Sequence, residues 1–411
     1  MQKEKLVPAI RFKGFEEEWN NLYLFQLIKY AKSGGTPNTA NVDFWNGNIP
    51  FLTIADLKNK TYISQTAKSI TQLGLHSSSA WIVPSGALVL SIYATIGKSA
   101  ILSSPMATSQ AFISILTNND SASFLHRIFE RMDLNGAWSS LQSTGTQSNL
   151  NANIIKNLVI KYPKSKSEIN IISNLFENID DLISMHELKL EKLQTIKQSL
   201  LIKMFALYEQ KMPEIRFKGF NEEWKTAILA DYFTQYKNTI YLNDNEYYNQ
   251  ISISNKGIVS HRDTKKGAEI GRKRQYLIDT INNSNTLVFT RQTIYEGGIG
   301  FVPSSLNGYI VTENMPLFNL RNMSINFART FLRTQSYFKS VIDSNPLIGS
   351  AQKALHEDLW LKSTIYVTND LDEQQKIGQF FSNLDSLIHS CNQKLEKLNN
   401  IKQALLEKMF C

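Results

Sequence analysis

The sequence predicts an α/β (α+β) protein: two mixed α/β domains separated by a pair of long antiparallel coiled-coil helices, with an internal pseudo-twofold duplication. Three observations predict it. The phrase PAIRFKGFEEEW, Pro8 to Trp19, returns as PEIRFKGFNEEW, Pro213 to Trp224, identical at ten of twelve positions and 205 residues downstream. The segments Glu168 to Phe205 and Glu373 to Phe410 match at 20 of 38 positions with the same offset of 205. Between these anchors lie two long stretches without sustained identity to one another, in which short apolar runs alternate with turn signals. Self-similarity at a fixed spacing marks a duplicated unit.

The elements follow in order. Residues 1–19 carry the first phrase and residues 20–150 the first variable domain. There IPFLTIADL, GALVLSI and AFISIL read as strands, SGGTPN and VPSG as turns, and SFLHRIFERM as a helix. Residues 151–212 hold the first long helix and the linker ALYEQKM, and residues 213–224 the repeated phrase. Residues 225–367 form the second variable domain, with QISIS, TLVFT, YIVT and PLFNL as strands and a helix around INFARTFLRTQSYF. Residues 368–411 hold the second long helix.

Periodicity makes the long segments helices. Ile172, Leu175, Ile179, Leu182, Leu193, Ile196 and Leu200 fall on a 3-4 seam, matched by Ile377, Phe380, Leu384, Leu387, Leu398, Ile401 and Leu405. The seams share a polar gap, at His186 and Lys189 in one and Cys391 and Lys394 in the other. At about 1.5 Å per residue, each helix is a rod of roughly 57 Å. The second phrase follows the end of the first helix. A twofold would therefore dock the first phrase at the end of the second helix, near Phe410, and put the variable domains at opposite ends of the rod.

The bulk numbers bound the function. A chain of 411 residues, 42% apolar and 19% charged, is globular and too long for one core. No apolar run approaches the roughly 18 to 20 residues of a membrane span, and the N-terminus lacks a secretory core. Two cysteines, Cys391 and Cys411, support neither a disulfide framework nor a zinc site, so a cytoplasmic protein is expected. The formal charge of +8 favours a polyanionic partner. Its excess falls in the variable stretches, +3 over residues 20–150 and +5 over 225–367.

Catalytic chemistry finds little support. An adenine methyltransferase needs a polar-Pro-Pro-aromatic loop and a glycine-rich cofactor turn; SNPLIG at Ser344 and EGGIG at Glu296 have neither pattern. There is no Walker loop. The six histidines are scattered without metal spacing, so no catalytic and no metal-binding residue is assigned.

The paired IRFKGF and EW phrases, the LEKL…IKQ…KMF helix ends, DEQQKIGQFFSNLDSLI, and the TGTQSNL and GSAQKAL closures together resemble the specificity subunit of type I restriction–modification systems. So do SGGTPNTANVDFWNGNIPFLTIADL and LVLSIYATIGK in the first variable domain. SKSEINIISNLF departs from the pattern, because the EEQ-like form present at Glu373 is degraded there. The resemblance implies a non-catalytic DNA-reading subunit. Each variable domain would bind one half of a bipartite double-stranded target, and the helices would set the spacing. It implies two methyltransferase subunits as partners and, for restriction, two nuclease subunits. It implies no cofactor on this chain, with S-adenosylmethionine, ATP and magnesium on the partners. Two copies of one partner would need two equivalent docking surfaces, which would account for the repeated phrase. A coiled-coil scaffold without sequence-specific DNA binding is the competing reading.

Candidate DNA contacts follow. Lys256 precedes the segment HRDTKKGAEIGRKRQY, which holds His261, Arg262, Lys265, Lys266, Arg272, Lys273 and Arg274 in a density suited to phosphates; a solvated basic face is the alternative. Arg291, Gln292 and Tyr295 follow the strand TLVFT, and Arg and Gln suit bidentate base reading; salt bridges at a strand end would equally explain them. Tyr93, Thr95 and Lys98 occupy the matching place in YATIGK. Thr36 lies in the SGGTP loop, which is either an amide cradle for a phosphate or a plain turn. Gln147, Gln352 and Lys353 lie in the matching closures and belong either to the DNA surface or to the repeated fold.

Overall fold

A computed structural model describes residues 6–57, 60–118, 122–141, 150–207, 210–345 and 354–411. The chain divides into two units, Met1–Glu187 with Gln393–Cys411, and Leu188–Asn392. Each unit takes one half of each long helix.

The first unit carries β1 (Asn20–Tyr23), β2 (Ile28–Ser33), β3 (Trp45–Leu52), β4 (Tyr62–Ile63), β5 (Lys68–Ile70), β6 (Ile82–Val83), β7 (Leu88–Ser91), β8 (Ser99–Leu102), β9 (Met106–Thr108), β10 (Phe112–Thr117) and β11 (Val159–Tyr162). β1 pairs with β11, a five-stranded sheet runs β2-β10-β7-β8-β4, and a smaller one runs β5-β3-β9-β6. β7 is buried at all four positions, and the helix Ala122–Leu134 supplies Phe124, Leu125, Ile128 and Phe129 to the same core.

The second unit repeats the plan with β12 (Lys225–Ile228), β13 (Phe233–Tyr236), β14 (Thr239–Tyr241), β15 (Tyr247–Ile253), β16 (Val259–Lys266), β17 (Arg274–Leu277), β18 (Thr286–Phe289), β19 (Ile299–Phe301), β20 (Ile310–Val311), β21 (Leu317–Leu320) and β22 (Thr364–Val367). β12 pairs with β22, and the central sheet runs β13-β21-β18-β19, the topology of β2-β10-β7-β8. The other sheet, β14-β17-β20-β15-β16, repeats the order and pairing directions of β6-β9-β3-β5 and adds the edge strand β14. The expected strands and helices are present. INFARTFLRTQSYF is broken into Ile325–Phe331, Gln335–Tyr337 and a π-turn Phe338–Asp343, because Thr334 takes up the amide of Tyr337 as a new N-cap.

The offset of 205 holds in three dimensions. The long helices are Lys166–Lys203 and Leu371–Lys408, two residues earlier than the repeated text and of the same 38-residue length. In the first unit the Ile10 amide donates to Lys408 O at 2.9 Å, and in the second Ile215 donates to Lys203 O at 2.8 Å. Each phrase therefore seals the end of the helix from the opposite half, and Trp19 meets Phe410 edge-on as Trp224 meets Phe205. Within each unit the helix halves run antiparallel: Asp180 pairs with Lys402 and Phe176 with Phe410, while Lys197 pairs with Asp385 and Phe205 with Phe381.

The expected seam is buried at Ile172, Ile179, Ile377 and Leu384, but at its other turns the buried stripe lies one position beside it. Phe176 and Phe381 are buried, and Leu175 and Phe380 only partly so. Leu182, Ile196, Leu387 and Ile401 are 42%, 49%, 53% and 40% exposed. The cause is doubled apolar residues, Leu175-Phe176, Leu182-Ile183, Phe380-Phe381 and Leu405-Leu406, which let two adjacent stripes satisfy one period. Cys391, expected in a polar gap, is 3% exposed and packs as a small hydrophobe.

Residues 151–165, expected with the central helix, instead carry the short helix Ala152–Lys156 and β11. The degraded form at Glu168 keeps its essential group. Glu168 and Glu373 both accept from the repeated arginine. Gln374, whose counterpart is Ile169, adds bonds to the Ser324 amide and the Thr368 carbonyl.

Candidate nucleic-acid interface

The strand topology makes one pair of loops equivalent. The turn from β7 to β8 holds YATIGK, and the turn from β18 to β19 holds RQTIYEGG. Each closure of the variable domain returns to its own turn: Leu150 donates to Ile92 O at 3.4 Å, and Leu355 donates to Arg291 O at 2.8 Å. Both leucines are 1% exposed, so this end of each closure belongs to the repeated fold. Gln147, Gln352 and Lys353 lie outside the described residues.

In the first unit, Tyr93 and Thr95 are exposed on the tip of the turn. The tip is held by Ser91, whose hydroxyl donates to Thr95 O, and by Gly97, which lies against the Trp138 ring. Lys98 is exposed and paired with Asp133 at 2.7 Å. Thr36 is half-buried. The neighbouring glycine amides are engaged internally, Gly34 donating to Phe112 O and Gly35 to Thr108 O. A Cβ on Gly34 would stand 2.1 Å from Thr108 O. SGGTP is thus a close-packed turn, and of its two readings the phosphate cradle loses its donors.

In the second unit the basic segment resolves into two groups. Arg272 and Arg274 share Glu313, at 2.8 and 3.7 Å, while Lys273 pairs with Asp244 and Lys265 lies 3.5 Å from Asp263. His261 is exposed and sets its ring edge-on to Tyr309, 5.7 Å between centroids. Among the described residues, Lys256, Arg262 and Lys266 have no carboxylate within 4 Å, and Lys256 and Arg262 are exposed. The cluster is less positive than its sequence suggests, because four of its cations already face carboxylates.

Arg291 does not stand free beside the turn. It makes a two-point ion pair with Glu357, Nε to Oε2 at 2.9 Å and Nη2 to Oε1 at 2.7 Å, and is largely buried. The strand-end salt bridge is the geometry found. Gln292 is exposed, and the half-buried Tyr295 donates to Asn345 O at 3.4 Å.

Two features were not read from the sequence. One is β16 itself, a strand of seven polar or charged residues after Val259, which lacks the apolar alternation that marks a strand. The other is a buried charged network in the first unit. Arg127, fully buried, donates to Glu130 and forms an ion pair with Asp180, each at 2.7 Å, and Lys402 reaches both carboxylates at 2.8 and 2.7 Å. His126 sits beside them with Nδ1 2.9 Å from Ser99 Oγ. Burial pushes its pKa down to about 4, so the ring is neutral at pH 7. Burial opposes ionisation of Glu130, but the charges of His126, Arg127 and Lys402 outweigh it and hold the pKa at about 2. The spacing in HRIFER was the available signal, an i, i+4 pair flanking an arginine. Its partners Asp180 and Lys402 are far away in sequence.

Among the described residues no group of three or more His, Cys, Asp or Glu could hold a metal ion. Among them also, no helix is long and apolar enough to cross a membrane.

Comparison with known proteins gives this geometry a context. Residues 16–195 match the model of the type I restriction modification DNA specificity domain. Over 185 residues the chain is 30% identical to the specificity subunit of the type I restriction enzyme MjaIX of Methanocaldococcus jannaschii, covering 44% of this chain and 43% of that one. Over 170 residues it is 28% identical to the HindI specificity subunit of Haemophilus influenzae, covering 41% of this chain and 37% of that one. The matches thus span less than half the length of these relatives. The fold extends further. It is similar to the crystal structure of a type I restriction–modification S subunit from M. genitalium, with TM-score 0.63 and 12% identity, covering 98% of this chain and 99% of that one. A chain from a structure describing complex assembly and conformational transition of the type I system matches with TM-score 0.50 and 13% identity, covering 99% of each chain.

The class is therefore a mixed α/β protein with the fold of type I restriction–modification specificity subunits. Residues 16–195 match the model of that DNA specificity domain, which supports the resemblance read from the sequence.

Proposed function

We infer that this chain is the DNA sequence-recognition subunit of a type I restriction–modification complex. It reads a bipartite target, one half-site per variable domain, and carries no catalytic site of its own. One observation supports this reading above the rest: a frame repeated at +205 presents two surfaces that differ in sequence. The phrases, the β1–β11 and β12–β22 pairs and the helix ends recur. The outer sheets share a topology, β5-β3-β9-β6 and β16-β15-β20-β17, but not their residues, and only the second carries the added strand β14. A protein reading two unlike half-sites needs this combination, whereas a scaffold has no need to vary one half of a symmetric frame.

The partners on this reading are two methyltransferase subunits, which bring S-adenosylmethionine, and two restriction subunits, which bring ATP and magnesium. The repeated phrase also has an internal duty. Arg11, Trp19 and their counterparts close the helix ends, so the repeat serves the fold as well as any docking surface.

Binding of the full chain to duplex DNA, titrated against salt, tests the reading. Phosphate contacts give a linear fall of log K with log salt, steep in proportion to their number. A flat dependence, or no binding, would favour the scaffold.

A further inference from the structure

β15 and β16 form a two-stranded ribbon in the second unit, and β16 is the last strand of its sheet. The ladder is irregular at one place. Gln250 faces Asp263 and Ile251 faces His261, which leaves Arg262 as an extra residue with no partner across the ladder. Such a bulge increases local twist and re-aims a side chain. Arg262 is exposed and, among the described residues, has no carboxylate in reach, unlike Arg272, Lys273 and Arg274 nearby.

Its surroundings on the ribbon are polar and aromatic. Beside the bulge, alternation puts Thr264 and Lys266 on one face of β16, and their ladder partners are Asn249 and Tyr247. Asn249 is exposed, and Tyr247 is 71% exposed. The Thr264 hydroxyl donates to Asn249 Oδ1 at 2.5 Å, which leaves the amide nitrogen to donate outward. The ribbon around the bulge thus offers a guanidinium, an amide donor, an ammonium and an aromatic ring.

The ribbon is also held rigid at its turn. Arg333 donates to Gly297 O at 2.8 Å and to Ile299 O. Gly257, at φ +73°, lies so close to the Arg333 guanidinium that a Cβ there would overlap it. A Cβ on Gly300 would stand 2.1 Å from Gly257 O. EGGIG, unexplained as a cofactor turn, is the platform on which the ribbon turn rests. A reader that is already ordered loses little entropy on docking.

The B-DNA major groove accommodates a two-stranded ribbon, and arginine reads guanine there through O6 and N7. We propose that the β15–β16 ribbon is the element of the second variable domain that enters the major groove, and that Arg262 reads a guanine of that half-site. The proposal rests on the recognition reading above. It separates Arg262 from the phosphate-binding role that a basic segment suggests.

The test uses the full chain co-expressed with its methyltransferase partner subunits in a host lacking adenine methylation, with methylated adenines mapped by single-molecule sequencing. Arg262→Ala removes the guanidinium. Arg262→Lys keeps the charge but loses the two-point fork. Both variants should lose preference at one guanine position in one half-site, by about tenfold or more. The other half-site and the gap should be unchanged. An unchanged motif in both variants overturns the proposal, as does a uniform loss of methylation that lysine restores, which would mark a phosphate contact. A melting temperature for R262A several degrees below the parent's would mark a structural role and overturn it equally. A parent chain that yields no two-part motif would instead remove the recognition reading, and the ribbon proposal with it.

Discussion

Arg11 and Glu168, 157 residues apart, form a two-point ion pair, Nε to Oε1 at 2.7 Å and Nη2 to Oε2 at 2.9 Å. The same pair recurs as Arg216 and Glu373, at 2.5 and 2.8 Å. In both, the guanidinium also donates to a backbone carbonyl of its own phrase, Glu17 O and Glu222 O. The arginine thereby ties the phrase to the first turn of a long helix. Ser165 and Asp370 cap those helices from equivalent positions.

Breaking one of these pairs leaves a buried group without its counter-charge. Glu168 is 1% and Arg11 11% exposed at the side chain. Glu168→Gln should therefore destabilise the chain by about 3–5 kcal/mol, the range for a severed buried pair. Glu373→Gln should do the same in the second unit. Denaturant midpoints of the two variants against the parent measure it.

The buried network in the first unit predicts an acid response. His126 has its pKa lowered to about 4 in the fold, against 6.5 when exposed. The unfolded chain therefore binds the proton first. The stability contributed by the neutral ring is fully present above pH 6.5 and is lost as pH falls toward 4, by roughly 3 kcal/mol in all. Glu130, lowered to about 2, adds loss of the same sign below its ordinary 4.5. A pH series of denaturation curves should slope down between pH 6.5 and 4, and His126→Gln should flatten that window.

Glu313 restrains two arginines. The pairs are solvent-exposed, so Glu313→Gln should change stability by less than about 1 kcal/mol. Freeing Arg272 and Arg274 should instead raise affinity for unrelated duplex DNA and steepen the salt slope, by up to about one unit per added phosphate contact. Fluorescence anisotropy at several salt concentrations reads both changes.

Gly34 tests the close-packed turn. Gly34→Ala would drive a methyl to within 2.1 Å of Thr108 O and 2.4 Å of Ser109 O, both backbone atoms that cannot step aside. Overpacking of this kind should cost about 1–3 kcal/mol or more, and a lowered melting temperature would report it.

How far the sequence led depends on the range of the signal. Trp19, Glu168 and Phe410 were found because repetition pointed to them, and repetition does not depend on distance in the fold. The helices were legible as helices, and their buried edge only in part: Ile172, Ile179, Ile377 and Leu384 are buried as expected. Leu175 and Phe176 are equally apolar, and only packing against the other helix selects Phe176. Arg291 and its partner Glu357 are 66 residues apart, so no local pattern could show that the guanidinium was already taken. β16 escaped because an edge strand facing water owes nothing to the core beyond Val259, and SHRDTKK carries no alternation.

The central claim is that one repeated frame carries two independent readers. Its most direct test is the methylation map of a host lacking adenine methylation, co-expressing the unaltered chain with a candidate methyltransferase subunit. The account predicts a motif in two parts with a gap of fixed length. A single continuous motif, or a complex that forms without directing methylation to any two-part site, would contradict it.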